Sequence, residues 1–305
     1  MPMPDLRENV PLAALTSWRV GGKARYFAEP RSVDEVRALV SWAREAAVPF
    51  FVIGRGSNLL IADEGYPGLV IRLSDKFGAV TVADGRLRAQ AGCSTMTAVK
   101  AAAQAGWGGI SFLSTIPGTI GGTVFMNAGA HQASMADVLE SATLLMPDGT
   151  VITEAAAGLG YRYRYSNLRE RGALVLEAVL RLEPMDAEAV QQEVQALSRW
   201  RRERQPQALS AGSVFTNPAM ASAGKLIEEA GLKGETLGRA QVSTVHANFI
   251  VNQGGATAAD INGLIMRVQE RIHARHGFWL HPEVVGLGLE VGRAEARHVP
   301  AQARE

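Results

Sequence analysis

One stretch of the chain combines many glycines with almost no charge, and the chemistry it could support is binding of a phosphate-bearing ligand. Seven of the 32 glycines fall between Gly106 and Gly129, among small and β-branched residues. Glycine is needed where φ is positive or where a large group lies against the main chain. Pro117-Gly118 predicts a turn whose N–H groups can form a concave anion site. A tight glycine corner without a ligand is the alternative, and these residues alone leave both open.

A second glycine loop, Gly54-Arg55-Gly56-Ser57-Asn58, follows a predicted buried strand. A strand followed by Gly-x-Gly opens a dinucleotide-binding unit, but Leu59 takes the third glycine position and strand-like residues follow instead of a helix. The pyrophosphate mechanism of that unit is therefore absent. The loop can still donate several N–H groups to a phosphate, and a plain hairpin is the alternative. Neither loop has the spacing of a nucleoside triphosphate hydrolase.

Four polar side chains are candidates for catalysis or substrate binding. Arg162 and Arg164 alternate with tyrosines, so on a strand both would share one face, where an arginine can grip a carboxylate. An exposed strand face is the alternative. Ser213 follows a glycine without the hydrolase nucleophile motif, and a local structural bond would also explain it. Glu283 lies in an apolar run, where a carboxylate is either salt-bridged or functional.

The composition excludes several classes of protein. The 305 residues are 47% hydrophobic and 20% charged with a net charge of +1, so no global field points to nucleic acid or an anionic membrane. One cysteine excludes an internal disulfide, and the six histidines show no zinc-ligand spacing. The sequence shows no signal peptide or membrane span. We therefore expect a cytoplasmic protein without a metal ion.

Hydrophobic periodicity and capping residues predict an alternation of helices, strands and hairpins. The predicted helices cover residues 32–47, 94–104, 186–205, 222–230 and 257–277. The predicted strands include residues 50–53, 60–61, 68–73, 174–182 and 246–252, with short strands around Gly21-Gly22. Asp84-Gly85 and Pro147-Asp148-Gly149 predict hairpin turns. The chain length favours two or three packed units.

Nine segments, in this order and spacing, are similar to one family. The chain resembles the UDP-N-acetylenolpyruvoylglucosamine reductases, the MurB-type flavoenzymes of bacterial peptidoglycan precursor synthesis, over nearly its whole length. The matching segments are Thr16-Ser17-Trp18-Arg19-Val20-Gly21-Gly22, Gly54-Arg55-Gly56-Ser57-Asn58-Leu59-Leu60, Ile116-Pro117-Gly118-Thr119-Ile120-Gly121-Gly122, Met126-Asn127-Ala128-Gly129, Tyr163-Arg164-Tyr165-Ser166, Gly212-Ser213-Val214-Phe215, Ala230-Gly231-Leu232-Lys233-Gly234, His246-Ala247-Asn248-Phe249 and Pro282-Glu283-Val284.

The resemblance implies an α+β fold. Two subdomains of the vanillyl-alcohol-oxidase (PCMH) type would bind FAD, at residues 1–72 and 73–205, with a strand near 286–292 returning to the first. An α+β substrate-binding domain would follow at 206–285, and a flexible tail at 293–305. The short reach from Ala230 to His246 resembles the shorter family type, which lacks a loop insertion over the substrate. The resemblance also implies a monomer that binds neither nucleic acid nor membrane.

The resemblance assigns roles to individual residues. Arg164, Ser213 and Glu283 would be catalytic, with no metal ligand. The cofactor-binding residues would be Gly54, Arg55, Gly56, Ser57, Asn58, Ile116, Pro117, Gly118, Thr119, Gly121, Gly122 and Asn127, around the FAD pyrophosphate and flavin.

The implied reaction is NADPH-dependent, FAD-mediated reduction of UDP-N-acetylglucosamine enolpyruvate to UDP-N-acetylmuramate. NADPH gives a hydride to flavin N5, which passes it to the vinyl carbon distal to the substrate carboxylate, where negative charge then builds. Arg164 would hold that carboxylate, and the Tyr-Arg-x-Ser match selects it over Arg162. Ser213 would donate the proton to the adjacent carbon. Glu283, protonated, would donate to the developing carboxylate.

Two departures from the family pattern and two rival functions accompany this prediction. Thr216 stands where the family often has lysine, and Ala130-His131-Gln132-Ala133 replaces a stretch in which an aromatic residue and a glycine are common. One rival is another flavin oxidoreductase on the same scaffold, such as a sugar-alcohol or aldonolactone oxidase. The other is a nucleotide-sugar or flavin-binding module without turnover, against which the three catalytic motif residues argue.

Overall fold

A computed structural model describes residues 5–297. Its helices are α1 (Val33–Glu45), α2 (Thr95–Gln104), α3 (Ile120–Met126), α4 (Met135–Val138), α5 (Ala187–Arg204), α6 (Ala223–Glu229) and α7 (Ala258–His276). Its strands are β1 (Arg7–Pro11), β2 (Lys23–Ala28), β3 (Phe50–Ile53), β4 (Leu59–Ile61), β5 (Tyr66–Arg72), β6 (Val80–Ala83), β7 (Arg86–Gln90), β8 (Trp107–Gly108), β9 (Gly129–Ala130), β10 (Ala133–Ser134), β11 (Leu139–Leu145), β12 (Val151–Ala155), β13 (Leu174–Arg181), β14 (Glu183–Pro184), β15 (Thr236–Leu237), β16 (Ala240–Val242), β17 (Ile250–Asn252) and β18 (Val285–Leu287).

The chain divides into two compact units, each formed by separated segments. The first comprises the described residues up to Arg7, then Tyr26–Arg55 and Gly68–Arg201. Its largest sheet has five antiparallel strands in the order β12-β11-β13-β7-β6. Burial alternates along β7, as expected of a sheet with one face against a core, whereas most residues of the central strands β11 and β13 are buried. Helices α2 and α3 pack against this sheet.

Local sequence signals determined much of the first unit. The Ser32 and Ser94 hydroxyls cap α1 and α2 by accepting the Glu35 and Thr97 N–H groups. Asp84 (φ 50°) and Gly85 (φ 70°) form a two-residue turn with both residues left-handed, joining β6 to β7. These predictions are confirmed.

The loop at residues 54–58 is not the plain hairpin that was the alternative to a ligand loop. Strand β3, which precedes it, pairs in parallel with β5, so that Phe50 lies opposite Leu69. Strand β4, which follows it, pairs in parallel with β18. Because the strands on either side of the loop pair with other strands, strand pairing does not by itself dictate the conformation of the loop.

The second unit comprises Glu8–Arg25, Gly56–Pro67 and the described residues from Arg202 onward. A three-stranded antiparallel sheet, β15-β16-β17, packs with α7. The fully buried Trp18 side chain lies in the apolar core of this unit. Its indole Nε1 donates to the Ile250 carbonyl at 2.7 Å, and the Asn252 side chain donates to the Trp18 carbonyl at 2.8 Å. The core therefore joins residues more than 230 positions apart.

Two strand predictions in the second unit are wrong in extent. No strand covers Trp18 to Val20, because the Trp18 ring anchors a loop and Arg19 has a φ of 59°. The predicted strand at 246–252 is confirmed only at Ile250–Asn252. Residues 246–249 form a turn instead, because the Ser243 hydroxyl accepts the Val245 and His246 N–H groups.

The C-terminal segment is described only as far as Arg297. Of the predicted flexible tail, residues 298–305 lie outside the described residues. Nearer the start of that segment, the Arg293 N–H donates to Gln269 Oε1 at 2.8 Å and Ala296 is fully buried.

An aspartate outside α7 completes the cap of that helix. Thr257 and Asp260 form a capping box, and the Ala258 and Ala259 N–H groups donate to the two Asp63 carboxylate oxygens at 2.8 and 3.0 Å. Asp63→Ala is expected to lower the free energy of unfolding by about 1–2 kcal/mol, since these donors lose their charged acceptor. Urea denaturation checks this, with the exposed Glu64→Ala as control. Equal midpoints for the two variants would contradict the capping role.

Within residues 5–297, no helix combines the length and the apolar character needed to cross a membrane. In the same range, no three histidine, cysteine or acidic side chains lie close enough together to hold a metal ion.

Candidate active site

The two predicted glycine loops meet within the first unit. A Cβ atom on Gly54 would lie 2.4 Å from Thr119 Oγ1, so only a glycine allows the first loop to lie against the second. The two loops therefore pack against each other at Gly54 and Thr119. Arg55, next to Gly54, is exposed.

The second loop continues into a helix, which the sequence did not predict. A 3₁₀ turn at Ser111–Thr115 leads into residues 116–119, and α3 begins at Ile120 with Thr119 as its cap. The Ile120 and Gly121 N–H groups donate to the Cys93 and Ala91 carbonyls, both at 2.9 Å. These two amides are therefore used inside the protein and are not available to an anion.

The remaining members of the second loop are tied to α2. The Thr95 hydroxyl donates to the Ile116 carbonyl at 2.7 Å, and the Thr95 N–H donates to the Gly118 carbonyl at 3.3 Å. Pro117 is exposed between them. One threonine thus fixes both ends of the Ile-Pro-Gly turn.

Adjacent glycines in α3 have different reasons to be glycine. A Cβ on Gly121 would lie 2.7 Å from the Ala91 Cβ, so packing within the protein requires that glycine. A Cβ on the exposed Gly122 would meet only Thr119 Oγ1, at 3.7 Å. Of the two, Gly122 is the one whose missing side chain leaves room for a ligand.

The remaining residues of the first loop, 56–58, belong to the second unit. Gly56 has a φ of 63°, and a Cβ there would lie 2.0 Å from the Leu15 carbonyl oxygen, which accounts for the glycine without a ligand. Ser57 is half-buried. The Asn58 side-chain amide donates to the Glu283 carbonyl at 3.0 Å, and the Asn58 carbonyl accepts the Val285 N–H at 3.0 Å. Asn58 thereby holds the Glu283 segment.

Both polar atoms of the Asn127 side chain bind within the first unit. Asn127 ends α3 with a φ of 43°. Its amide nitrogen donates to the Arg162 carbonyl at 2.9 Å, and its amide oxygen accepts the Ala136 N–H at 2.9 Å. Its position in the structure is that of a clamp on the turn that carries Arg164.

Arg164 lies in a tight turn, and the predicted strand at this point is wrong. Arg162 and Tyr165 exchange two backbone hydrogen bonds of 3.1 Å, which places Tyr163 and Arg164 at the tip of the turn. Arg164 has a φ of 55°, an unusual value for a residue with a side chain. Such strain persists where the surroundings enforce it, often at functional sites.

The two arginines therefore do not share one face as they would on a strand. The Arg164 guanidinium donates to the Gly129 carbonyl at 2.8 Å and lies over the Tyr163 ring, whereas Arg162 lies over the Tyr165 ring. Each arginine is directed by a different tyrosine. The alternation of residue types could not reveal this, because a turn tip and a strand show the same pattern.

The backbone segments that carry Ser213 and Glu283 pair with each other in the second unit. The Glu283 N–H donates to the Val214 carbonyl at 2.8 Å, and Phe215 pairs with Pro282 in an antiparallel bridge. Both side chains are half-buried. The structure thus pairs the backbone that directly follows Ser213 with the segment that carries Glu283, while Arg164 belongs to the first unit.

Three polar side chains near the second loop were missed by the sequence reasoning. The hydroxyl oxygens of Ser111 and Ser114 are buried and make no hydrogen bond within the described part of the chain. The Arg201 guanidinium donates to the Thr115 carbonyl at 2.9 Å, and burial lowers its pKa. Buried hydroxyls are usually hydrogen-bonded, so these two can accept or donate a bond to a polar group of a ligand. The only available signal was two serines inside an apolar glycine-rich stretch.

The two departures from the family pattern have local explanations. Thr216 turns toward the 281–283 segment, where its N–H and hydroxyl donate to the His281 carbonyl at 3.0 and 3.3 Å. His131 (φ 53°) and Gln132 (φ 67°) form the two-residue turn between β9 and β10. The His131 ring also contacts the Trp200 ring at 4.7 Å.

Comparisons with known proteins agree with this geometry. A family model described as FAD binding domain matches residues 24–154, and one described as the C-terminal domain of UDP-N-acetylenolpyruvoylglucosamine reductase matches residues 205–287. The reductase of that name from Parasynechococcus marenigrum is 46% identical over 93% of this chain and 96% of the relative. The one from Lactobacillus delbrueckii is 42% identical over 94% and 96%. The chain belongs to the UDP-N-acetylenolpyruvoylglucosamine reductase family.

A solved structure extends the family likeness to the fold. The crystal structure of the reductase (MurB) from Thermus caldophilus superposes with a TM-score of 0.80 at 37% identity, over 93% of this chain and all of that one. The chain is thus an FAD-dependent oxidoreductase of α+β fold, with an FAD-binding domain of the predicted class. The fold class, the family and the FAD cofactor are confirmed.

Proposed function

We propose that the chain catalyses the NADPH-dependent, FAD-mediated reduction of UDP-N-acetylglucosamine enolpyruvate to UDP-N-acetylmuramate, a step of peptidoglycan precursor synthesis. The observation that carries this proposal is the match of more than nine-tenths of the chain to UDP-N-acetylenolpyruvoylglucosamine reductases. The backbone pairing of Val214 and Phe215 with Glu283 and Pro282 supports it independently, since it brings together the two segments that carry Ser213 and Glu283, 70 residues apart in the sequence.

The residues present fit FAD as the cofactor. The two loops meet at Gly54 and Thr119, and the open position beside Gly122 leaves space for a ligand. The unpaired buried hydroxyls of Ser111 and Ser114 lack the polar partner that a cofactor supplies. We propose that Ser111, Ser114 and the predicted cofactor-binding residues in the loops 54–58 and 116–122 hold the FAD.

Gly122→Ala tests whether a ligand lies against that glycine. The apoprotein is expected to be as stable as wild type or slightly more so, since alanine is better than glycine in a helix by about 0.5–1 kcal/mol. If FAD packs on Gly122, the added methyl group costs about 1–3 kcal/mol and weakens FAD binding roughly tenfold or more. Thermal unfolding of the apoprotein and fluorescence titration with FAD measure the two effects.

Gly54→Ala is the matched control for that experiment. Its Cβ meets Thr119 inside the protein, so the apoprotein itself is expected to lose stability. Unchanged FAD affinity in Gly122→Ala would remove Gly122 from the FAD contacts.

Arg164 supplies fixed positive charge for the substrate carboxylate. Bound FAD would supply the hydride chemistry of the reaction, from NADPH to the distal carbon of the enolpyruvyl double bond. The carboxylate of the substrate then gains negative charge, which a preorganised guanidinium stabilises without reorganisation. The tight turn and the Tyr163 ring hold the Arg164 side chain in place beforehand.

Ser213 donates the proton that completes the reduction. The carbon next to the carboxylate becomes basic as the hydride arrives, and the Ser213 hydroxyl protonates it; solvent then restores the serine proton. Glu283, in its protonated form, donates a hydrogen bond to the developing carboxylate instead of repelling it. The hydride and the proton together saturate the double bond, so the reaction balances with one NADPH and one proton consumed.

Further features of the prediction are part of the proposal. These are the FAD subdomains at 1–72 and 73–205, the substrate-binding domain at 206–285, and the cofactor role of Asn127. A monomer in the cytoplasm, with NADPH and the UDP-sugar as its only partners, completes the proposal. The match of residues 205–287 to the family's C-terminal domain supports the assignment of that region.

An anaerobic visible spectrum tests the proposed function directly. NADPH is expected to bleach the flavin bands, and the UDP-enolpyruvyl sugar is then expected to restore them. Bleaching without recovery would indicate another substrate on the same fold. A flavin that NADPH does not bleach would favour one of the two rivals: the sugar-alcohol or aldonolactone oxidase if the enzyme reacts with oxygen, and a binding module if it shows no turnover.

A further inference from the structure

The segment that carries Ser213 is fixed by one buried asparagine. Asn248 is 3% exposed, and its backbone carbonyl accepts the Val214 N–H at 2.8 Å. Its side-chain oxygen accepts the Phe215 N–H at 2.9 Å, and its side-chain nitrogen donates to the Phe215 carbonyl at 2.8 Å. Three hydrogen bonds from a single residue therefore hold the two positions that directly follow Ser213.

The opposite edge of the same segment is bound to residues 281–283. Val214 and Thr216 use their remaining backbone groups there, as described above. Ser213 is thus followed by an extended strip held on both edges, and Asn248 supplies one whole edge. Because buried side chains pack closely around Val214 and Phe215, loss of that edge shifts the strip and does not simply expose it.

A histidine holds Asn248 in turn. The Asn248 N–H donates to His246 Nδ1 at 3.2 Å, so this ring nitrogen is unprotonated and the neutral ring carries its proton on Nε2. The ring also packs edge-on against Phe249, with centroids 4.9 Å apart. Protonation of Nδ1 would set two donors against each other and break the bond to Asn248.

His246 lines a cleft of about 380 Å³ in the second unit, together with charged side chains of α6. Burial lowers the pKa of His246 and is the largest effect; a hydrogen bond with its own backbone raises the pKa, the Lys233 charge lowers it, and the Glu228 charge raises it. Lys225 and Glu229 of α6 also line the cleft. The neutral form is therefore favoured by the fold. The hydrogen bond from Asn248 to His246 is therefore fully present above the ordinary imidazole pKa. It is lost as the pH falls through the lowered pKa of His246 in the folded protein.

We propose that Asn248 is a positioning residue for Ser213, and that neutral His246 keeps Asn248 in place. The inference deepens the proposed function, since it rests on Ser213 as the proton donor. Protonation of His246 releases the Asn248 turn, the Ser213 strip shifts, and proton donation to substrate slows. Reduction of the flavin by NADPH needs no proton from Ser213 and is unaffected.

Two substitutions of His246 separate the acceptor from the titration. Asn at this position places an amide oxygen near the site of Nδ1 but does not titrate, whereas Ala removes the acceptor. With the FAD-loaded enzyme at neutral pH, His246→Ala is expected to slow reoxidation by the UDP-enolpyruvyl sugar about tenfold, the effect of one lost hydrogen bond. His246→Asn is expected to keep the wild-type rate and to lose the decline of that rate at acid pH. Stopped-flow absorbance from pH 5 to 8 measures both half-reactions.

Amide hydrogen exchange tests, without substrate or turnover, whether His246 and Asn248 hold the backbone of Val214 and Phe215. In His246→Ala, protection of the Val214 and Phe215 amides is expected to fall about tenfold, and His246→Asn is expected to restore it. Unchanged protection in His246→Ala would overturn the proposal, and so would an acid decline that persists in His246→Asn. If Ser213→Ala is reoxidised at the wild-type rate while the exchange result holds, the assignment of Ser213 as proton donor is wrong. The role of His246 and Asn248 in holding the Val214–Phe215 backbone is then still supported.

Discussion

Ser213→Ala is expected to leave reduction of the flavin by NADPH unchanged and to slow its reoxidation by the UDP-enolpyruvyl sugar about 10²- to 10⁴-fold, the range for loss of a positioned general acid. The segment keeps its shape in this variant, because the hydrogen bonds of Val214 and Phe215 involve no Ser213 side-chain atom. Rapid-mixing absorbance of the two half-reactions is the measurement.

Two variants control this result. Ser213→Cys keeps a proton donor of similar size, with an ordinary thiol pKa near 8.5, and should recover part of the lost rate. Ser210→Ala removes a hydroxyl three residues earlier and should behave as wild type. Unchanged reoxidation in Ser213→Ala would exclude the serine from the acid role.

Arg164→Ala is expected to slow the same half-reaction by roughly 10²-fold or more, because the developing carboxylate charge loses its fixed counter-charge. Flavin reduction by NADPH should change little. Arg164→Lys keeps the charge but loses the planar guanidinium that grips a carboxylate at two points, so its rate should fall between those of wild type and alanine.

Arg162→Ala is the matched control, since Arg162 lies two residues away and contacts a different tyrosine ring. If it caused the loss instead, the assignment of Arg164 from the Tyr-Arg-x-Ser pattern would be wrong. Arg164→Gly adds a further comparison. It removes the same guanidinium but relieves the backbone at φ 55°, so it should be as slow as alanine and more stable.

Elements with local signals could be predicted from the sequence, and elements set by distant contacts could not. The caps at Ser32, Ser94 and Thr257 and the Asp84-Gly85 turn were found because their determinants lie within a few residues. The 246–249 turn was mistaken for strand because of its apolar residues. The Phe249 N–H instead donates to the His246 carbonyl, and the Ser243 N–H donates to the Phe249 carbonyl.

The candidate site shows the same division. Its residue identities followed from the family motifs, but their supports did not. Asn248 holds Phe215 across 33 positions, and Asn58 holds Glu283 across 225. No local pattern signals such pairings, because each joins residues that are far apart in the sequence. The different roles of Gly121 and Gly122 likewise depend on what a side chain would meet in space.

The three-segment construction of the second unit has a consequence for biosynthesis. Strand β4 leaves the ribosome more than 220 residues before its partner β18, a delay of about 10–45 s at ordinary rates of synthesis. Until β18 and Ile250 have been synthesised, the β4 edge and the Trp18 indole lack their hydrogen-bond partners. Such non-local pairing is slow and leaves apolar surface exposed. The half that carries Ser213 and Glu283 therefore completes its folding only after residues 285–287 have been synthesised, and until then its unpaired strand edge is open to aggregation.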